Sequence, residues 1–157
     1  MELEQELLIH ASRSGNLDVL QELIKGNSNL DIKDAAGYTP LIVACNNHQL
    51  SVAKLLIANG ANPNLADNEG NTALMCASFN AYNDMAELLV ENGADLNLQR
   101  QDGKSALMFA VISGNVALVK LLILYGIDTQ ACDSKGMRAI DLAIEQGNPE
   151  IIEMLTG

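Results

Sequence analysis

The sequence predicts an all-α solenoid, a row of helix–turn–helix units stacked side by side. Three observations lead there. Gly37, Gly70, Gly103 and Gly136 recur every 33 residues, and Ala11, Ala44, Ala77, Ala110 and Ala143 keep the same step. So do Leu8, Leu41, Leu74, Leu107 and Ile140, and Leu23, Leu56, Leu89, Leu122 and Leu155, with no insertion anywhere. Many columns in one unbroken register are the mark of repeated structural units. The composition agrees: 48% of residues are hydrophobic but only 3% aromatic. A core of Leu, Ile, Val and Ala suits thin layers of closely packed helices. Finally, helix start and stop signals fall at fixed places in the period.

Each unit can be read in order. Thr39, Thr72 and Ser105 are N-cap residues, whose hydroxyls can accept a hydrogen bond from an orphan backbone N–H. Pro40 follows at the first helical position, where a missing N–H costs nothing. Leu41 and Ala44 then share the core face of a short first helix, and the alanine column lets neighbouring helices lie close. Val52, Leu55 and Leu56 form the apolar stripe of a second helix. Gly60 ends it, where the chain must turn left-handed without a Cβ clash. The stretch from Gly60 to Gly70 is a polar, turn-rich connector to the next cap. One domain of 157 residues results, with full units at 34–66, 67–99 and 100–132, a degenerate unit at 3–33 and a truncated one at 133–157. The two end units depart from the pattern as capping units do, with Glu2, Glu4 and Glu6 solvating the start, and the array is expected to be self-contained.

Gly37-Tyr-Thr-Pro-Leu-Ile-Val-Ala44, Gly70-Asn-Thr-Ala-Leu-Met-Cys-Ala77 and Gly103-Lys-Ser-Ala-Leu-Met-Phe-Ala110 resemble the ankyrin repeat, whose signature is Thr-Pro-Leu-His-x-Ala on a 33-residue period. The closing segments 55–64 and 88–97 are similar too, with Asn64 and Asn97 at the family's hairpin asparagine. The resemblance covers nearly the whole chain. It implies antiparallel helix pairs with β-hairpin loops projecting at roughly right angles, stacked into a curved ankyrin-repeat solenoid. It also implies a protein-binding surface made of hairpin tips and the exposed side of the first helices.

Several positions depart from the signature. Ile42, Met75, Met108 and Asp141 occupy the column of its His, so the central units must be joined by apolar contact. Arg138 replaces the capping Thr of the last unit. Arg100 stands where Asp34, Asp67 and Asp133 begin the other hairpins, which predicts a looser hairpin unless Asp102 compensates. Ala81-Tyr82 replaces the usual Gly-containing pair between helices, and a local distortion is expected there.

Charge and cysteine content exclude several function classes. The formal net charge is −11 and the nine basic residues are scattered, which argues against nucleic acid and anionic membrane. No apolar run approaches the roughly 20 residues that span a bilayer, and the acidic N-terminus is unlike a secretory signal. Three widely spaced cysteines, Cys45, Cys76 and Cys132, point to the reducing cytoplasm.

No constellation for chemistry emerges. His10 and His48 sit in different units, without a Cys at ligand spacing. The glycines belong to the register, and no phosphate-cradling loop is found. Cys45 and Cys76 read as small core fillers, while Cys132, beside Lys135, is the one cysteine open to a redox role. No catalytic, metal or cofactor site is predicted, and the chain is not expected to be an enzyme.

Function should lie in columns that vary between units. At the hairpin tips these hold Tyr38; Asn68, Glu69 and Asn71; Gln101, Asp102 and Lys104; and Lys135 and Met137. At the ends of the first helices they hold Asn46 and Asn47, Phe79 and Asn80, and Ile112 and Ser113. Phe79 and Ile112 are apolar where other units are polar, and with Tyr38 they resemble an interface anchor within a polar rim. Phe79 either faces outward or folds in around the Ala81-Tyr82 turn. Leu124 and Tyr125 either pack under the shortened last unit, the preferred reading, or support self-association. The function expected is that of a monomeric scaffold or adaptor for another protein, basic by charge complementarity. The alternative is a dedicated inhibitor or immunity protein that blocks a partner enzyme.

Overall fold

The computed structural model describes residues 2–157. Among the described residues ten helices run in antiparallel pairs: α1 (Glu2–Ser14) and α2 (Leu17–Lys25), α3 (Pro40–Asn46) and α4 (Leu50–Ala58), α5 (Ala73–Phe79) and α6 (Asn83–Glu91). After them come α7 (Ala106–Ile112) and α8 (Val116–Leu124), then α9 (Ala139–Gln146) and α10 (Pro149–Thr156). The all-α solenoid expected from the register is what the chain forms.

The caps fall where the sequence put them. The hydroxyls of Thr39, Thr72 and Ser105 accept from the amides of Ile42, Met75 and Met108 at 3.2, 3.3 and 3.5 Å. Three second helices use asparagine instead, Asn16, Asn115 and Asn148, each accepting from the amide three residues on. Arg138 offers no hydroxyl, and the last pair reverses the arrangement: Asp141 Oδ2 accepts from the Arg138 amide at 2.8 Å and from its Nε at 3.2 Å. The guanidinium bonds, and after them the amide bond, hold the Asp141 carboxyl below its ordinary range.

Odd-numbered helices stack in one row and even-numbered helices in another. The odd row is the more closely packed, because Ala11, Ala44, Ala77, Ala110 and Ala143 are all buried there and present only a methyl group to the next helix. The hairpins lead directly into the odd helices, and together they make what is termed the inner surface. Leu56, Leu89 and Leu122 fill the even row and are fully buried. Ile42, Met75 and Met108, in place of the signature His, are buried as well, so apolar contact joins the units there.

Short hairpins precede α5 and α7, closed by antiparallel bridges between Ala66 and Thr72 and between Gln99 and Ser105. Their tips form a ladder. The amides of Asn68, Gln101 and Ser134 donate to the carbonyls of Ala36, Glu69 and Asp102 at 3.1, 3.2 and 2.8 Å. A second relay joins the connectors, where Asp31, Asn64 and Asn97 accept from the amides of Asn62, Asp95 and Asp128.

Two expected irregularities do not occur. In the hairpins beginning at Asp34, Asp67 and Asp133, the carboxylate accepts from the amides two and four residues on. With Arg100 in that place, Asp102 takes over, accepting from the Lys104 amide at 3.2 Å and from its Nζ at 2.7 Å. The backbone bonds Arg100 N to Lys104 O and Gly103 N to Arg100 O remain at 3.0 and 2.8 Å, so the hairpin is not looser. Nor is the Ala81-Tyr82 turn distorted. Ala81 adopts φ 59°, and the Tyr82 amide reaches the Ala77 carbonyl at 2.9 Å, as Asn115 reaches Ala110 at 3.1 Å. The backbone keeps its path and Ala81 carries the strain. Ala81→Gly should therefore stabilise the chain by about 1 kcal/mol, read as a higher urea midpoint. An unchanged or lower midpoint would mean that the turn holds no strain.

His48 occupies the same column with φ 52°, and it too lacks the glycine. It has compensations that Ala81 lacks: its ring stacks on Tyr82 with centroids 4.1 Å apart, and Nε2 lies 2.9 Å from Asp84.

Leu124 and Tyr125 require a correction. They do not pack beneath the last unit; Leu124 is 77% exposed and Tyr125 45%. Leu124 ends α8 in a column that faces solvent in the earlier units too, where it holds the exposed Ala58 and Glu91.

Candidate partner-binding surface

The inner surface is built by the hairpins and the exposed ends of the odd helices. Its most apolar point is Phe79, the last residue of α5, which is 57% exposed. It points outward and does not fill the Ala81-Tyr82 turn, where Tyr82 stacks on His48. Phe79 meets Phe109 of α7 edge to face, with centroids 5.9 Å apart and planes at 86°. Phe109 is nearly buried, and the Arg100 guanidinium lies 5.8 Å above its ring. An edge-to-face pair of this kind adds about 1 kcal/mol to its burial energy. The aromatic anchor thus sits on a firm base spanning two units.

Arg100 comes from the hairpin before α7 and is itself clamped. Nη1 donates to Asn71 Oδ1 at 3.2 Å, Nη2 stands 3.7 Å from Glu69, and Nε lies 3.0 Å from Asp102. The Nε contact is close but poorly directed, so this buried nitrogen has no well-formed hydrogen bond. Burial alone would raise the Asp102 carboxyl, but the bonds from Lys104 outweigh it and hold the group below its ordinary range.

Together Phe79, Phe109 and Arg100 wall a recess of about 210 Å³, completed by Tyr38, Asn46, Asp67, Asn71, Met75, Cys76 and Asn80. Burial, and then the nearby Asp67, push the Tyr38 hydroxyl up from its ordinary range. Burial also pushes the Cys76 thiol up to about 12 and Cys45 upward, which leaves both as unreactive fillers. Cys132 is exposed and donates only a weak bond to the Gln130 carbonyl at 3.6 Å. Among the described residues no group of three His, Cys, Asp or Glu could hold a metal ion, and no helix is long and apolar enough to cross a membrane.

The sequence-predicted residues divide into three sets. Tyr38, Asn46, Asn71, Phe79 and Asn80 line the recess. Asn47, Asn68, Gln101, Asp102, Lys104 and Ser113 surround it but spend their polar atoms within the fold. Asn47 and Asn80 donate to the carbonyls of Val43 and Cys76, and Asn68 and Gln101 donate across the ladder to Ala35 and Asn68. Ser113 donates to the Ala110 and Ser78 carbonyls. Glu69 and Lys135 remain exposed at the tips, with Met137 half-buried. Ile112 is half-buried against the core and does not line the recess, so Phe79 finds its apolar neighbour in Phe109 instead. Phe109 and Arg100 were not among the predicted contacts, although the break at Arg100 in the aspartate column was a signal that could have marked them.

A family model described as ankyrin repeats (3 copies) matches residues 8–100 and 82–157. No curated protein matches the chain.

Proposed function

The chain belongs to the ankyrin-repeat family, and from that premise we propose that it is a scaffold or adaptor that binds another protein along its inner surface. Repeats of this family are generally protein–protein interaction modules and are typically non-catalytic. What carries the finer reading is Phe79: a large aromatic side chain held exposed beside a polar-rimmed recess, in a column where every unit but its own and that of Ile112 places a polar group. Exposed aromatics fixed by rigid neighbours are the residues that dominate binding energy at interfaces. Here the surface is preorganised, so little conformational entropy is lost on association.

The net charge of −11 and exposed Glu69 at the rim favour a basic partner, with encounter faster at low salt. The three free cysteines favour a reducing, cytoplasmic setting. The same negative charge supports a second reading, an inhibitor that blocks a basic enzyme by imitating an anionic substrate.

Affinity capture from the native source tests the first reading. The Phe79→Ala protein should lose its principal partner by about ten-fold or more, a cost of at least ~1.4 kcal/mol. Ile112→Ala, half-buried and outside the recess, should have a smaller effect. If Phe79→Ala folds normally and keeps every partner, the inner-surface reading is wrong.

A further inference from the structure

The first helix pair carries another apolar surface, at the end of the stack and away from the recess. We propose that this end face docks an amphipathic helix of a partner protein, one whose apolar stripe is flanked by lysine or arginine.

The register itself shows what this face is shaped for. The Leu7 column continues as Pro40, Ala73, Ala106 and Ala139, all buried; the Val19 column continues as Val52, Met85, Leu118 and Ile151, also buried. Ala139 and Ile151 belong to the last pair, which has a predecessor in the stack but no successor. Both columns therefore face the preceding helix pair. In the first pair no helix of the structure covers them: Leu7 is 43% exposed, Leu3 is 77% exposed, and Val19 and Leu23 are half-buried. Leu7, Val19 and Leu23, with Asp18 and Glu22, line an open recess of about 430 Å³.

A terminal unit of a repeat array ordinarily shows solvent a polar outer face. The first pair instead mixes exposed Leu3 and Leu7 with exposed Glu2, Glu4 and Glu6, and Leu7 is bulkier than the Pro or Ala of its column. Leu3 and Leu7, like Val19 and Leu23, are four residues apart, so each pair makes a short apolar ridge along its helix. Helices occupy the equivalent position at every interior interface, and a helix fits between two such ridges.

Charge decides between occupants. Asp18 and Glu22 stand at the edge of the recess, and the cation recorded beside Glu22 is Lys25, 2.7 Å away and itself exposed. At the far end of the stack Ile144 is exposed, and α9 and α10 carry the exposed Glu145, Glu150 and Glu153. A second copy stacking head to tail would bring carboxylates against carboxylates. A basic amphipathic helix meets opposite charge instead.

The test uses two synthetic peptides of about 18 residues and identical Leu/Lys composition, one with leucines at i, i+3, i+4 and i+7 and one with them scattered around the helix. Binding is measured by calorimetry at about 0.15 M salt, where long-range attraction is screened. The ordered peptide should bind the wild-type chain about ten-fold or more tightly than the scattered one. The Leu3→Gln/Leu7→Gln variant, altered only at exposed positions, should lose that preference, whereas Phe79→Ala should keep it. Equal binding of the two peptides, no binding of either, or a preference that survives Leu3→Gln/Leu7→Gln overturns the proposal. So does loss of the preference in Phe79→Ala, which would place the peptide in the inner recess. Sedimentation showing self-association that Leu3→Gln/Leu7→Gln abolishes would give the face to a second copy and overturn it as well.

Discussion

Gly103→Ala is expected to destabilise the chain by roughly 3 kcal/mol or more, and Gly136→Ala by only about 1 to 2. Both glycines hold a left-handed backbone, with φ 80° and 77°, so the conformational cost of a Cβ is the same. Their surroundings differ. A Cβ at Gly103 would lie 2.8 Å from Asp133 Cα and from Ser134 N, while one at Gly136 meets nothing within 4 Å. Asp133 and Ser134 open the next hairpin, and the Ser134 amide donates to Asp102 O at 2.8 Å. The added methyl group must push that hairpin away and break a rung of the ladder. Subtracting the two variants removes the shared backbone strain and leaves the contact between hairpins. Urea midpoints of both proteins provide the comparison. If the difference is under about 0.5 kcal/mol, the hairpins yield freely and the ladder is not a rigid part of the fold.

Why the fold was legible follows from the same repetition. A glycine or alanine column recurs because the same close approach recurs at each step of the stack, as at Gly37, Gly70 and Gly103, each against the next hairpin. At Arg100 the sequence left two outcomes open, and the structure takes the one in which Asp102 compensates: Arg100 removed an acceptor, and Asp102, two residues later, restored it. At Ala81 the expectation was that a missing glycine would bend the turn. The packed helices on either side fixed the backbone instead, and strain in one residue was the smaller cost. Tertiary context also decided Leu124, whose column faces solvent throughout the stack, at Ala58 and Glu91 as well.

The candidate surface was only partly legible. Column variation pointed to Phe79 and Tyr38, which line the recess, because an apolar residue in a polar column is visible in the sequence itself. It could not show which polar residues were already engaged. Asn68 and Gln101 vary like binding residues, yet both bond the neighbouring hairpin. Phe109 escaped notice for the reverse reason: its column also holds Val43 and Leu142, so it read as core, although its ring supports Phe79.

The other large effect concerns the middle of the stack. Leu89→Ala should cost about 3 to 5 kcal/mol, since the side chain is fully buried and its removal leaves a cavity. Leu155→Ala, in the same column on the last helix, should cost about 1 to 2 kcal/mol because that leucine is already partly solvated. The larger consequence is cooperative. Each helix pair touches only its neighbours, so stability is a sum of unit and interface terms. Leu89 on α6 serves the interfaces with both α4 and α8, and weakening them lets the two halves of the stack unfold separately. Urea unfolding followed by circular dichroism should then broaden or split for Leu89→Ala, with a smaller slope, whereas Leu155→Ala should keep a single sharp transition. A plain shift of midpoint with unchanged slope, no larger than that of Leu155→Ala, would refute this. The partner-binding reading is tied to the same interface. Phe79 stands on the α5–α6 pair and Phe109 on the α7–α8 pair, so a chain whose halves separate no longer presents the two rings as one anchor. Leu89→Ala should therefore weaken partner capture without touching any residue of the recess.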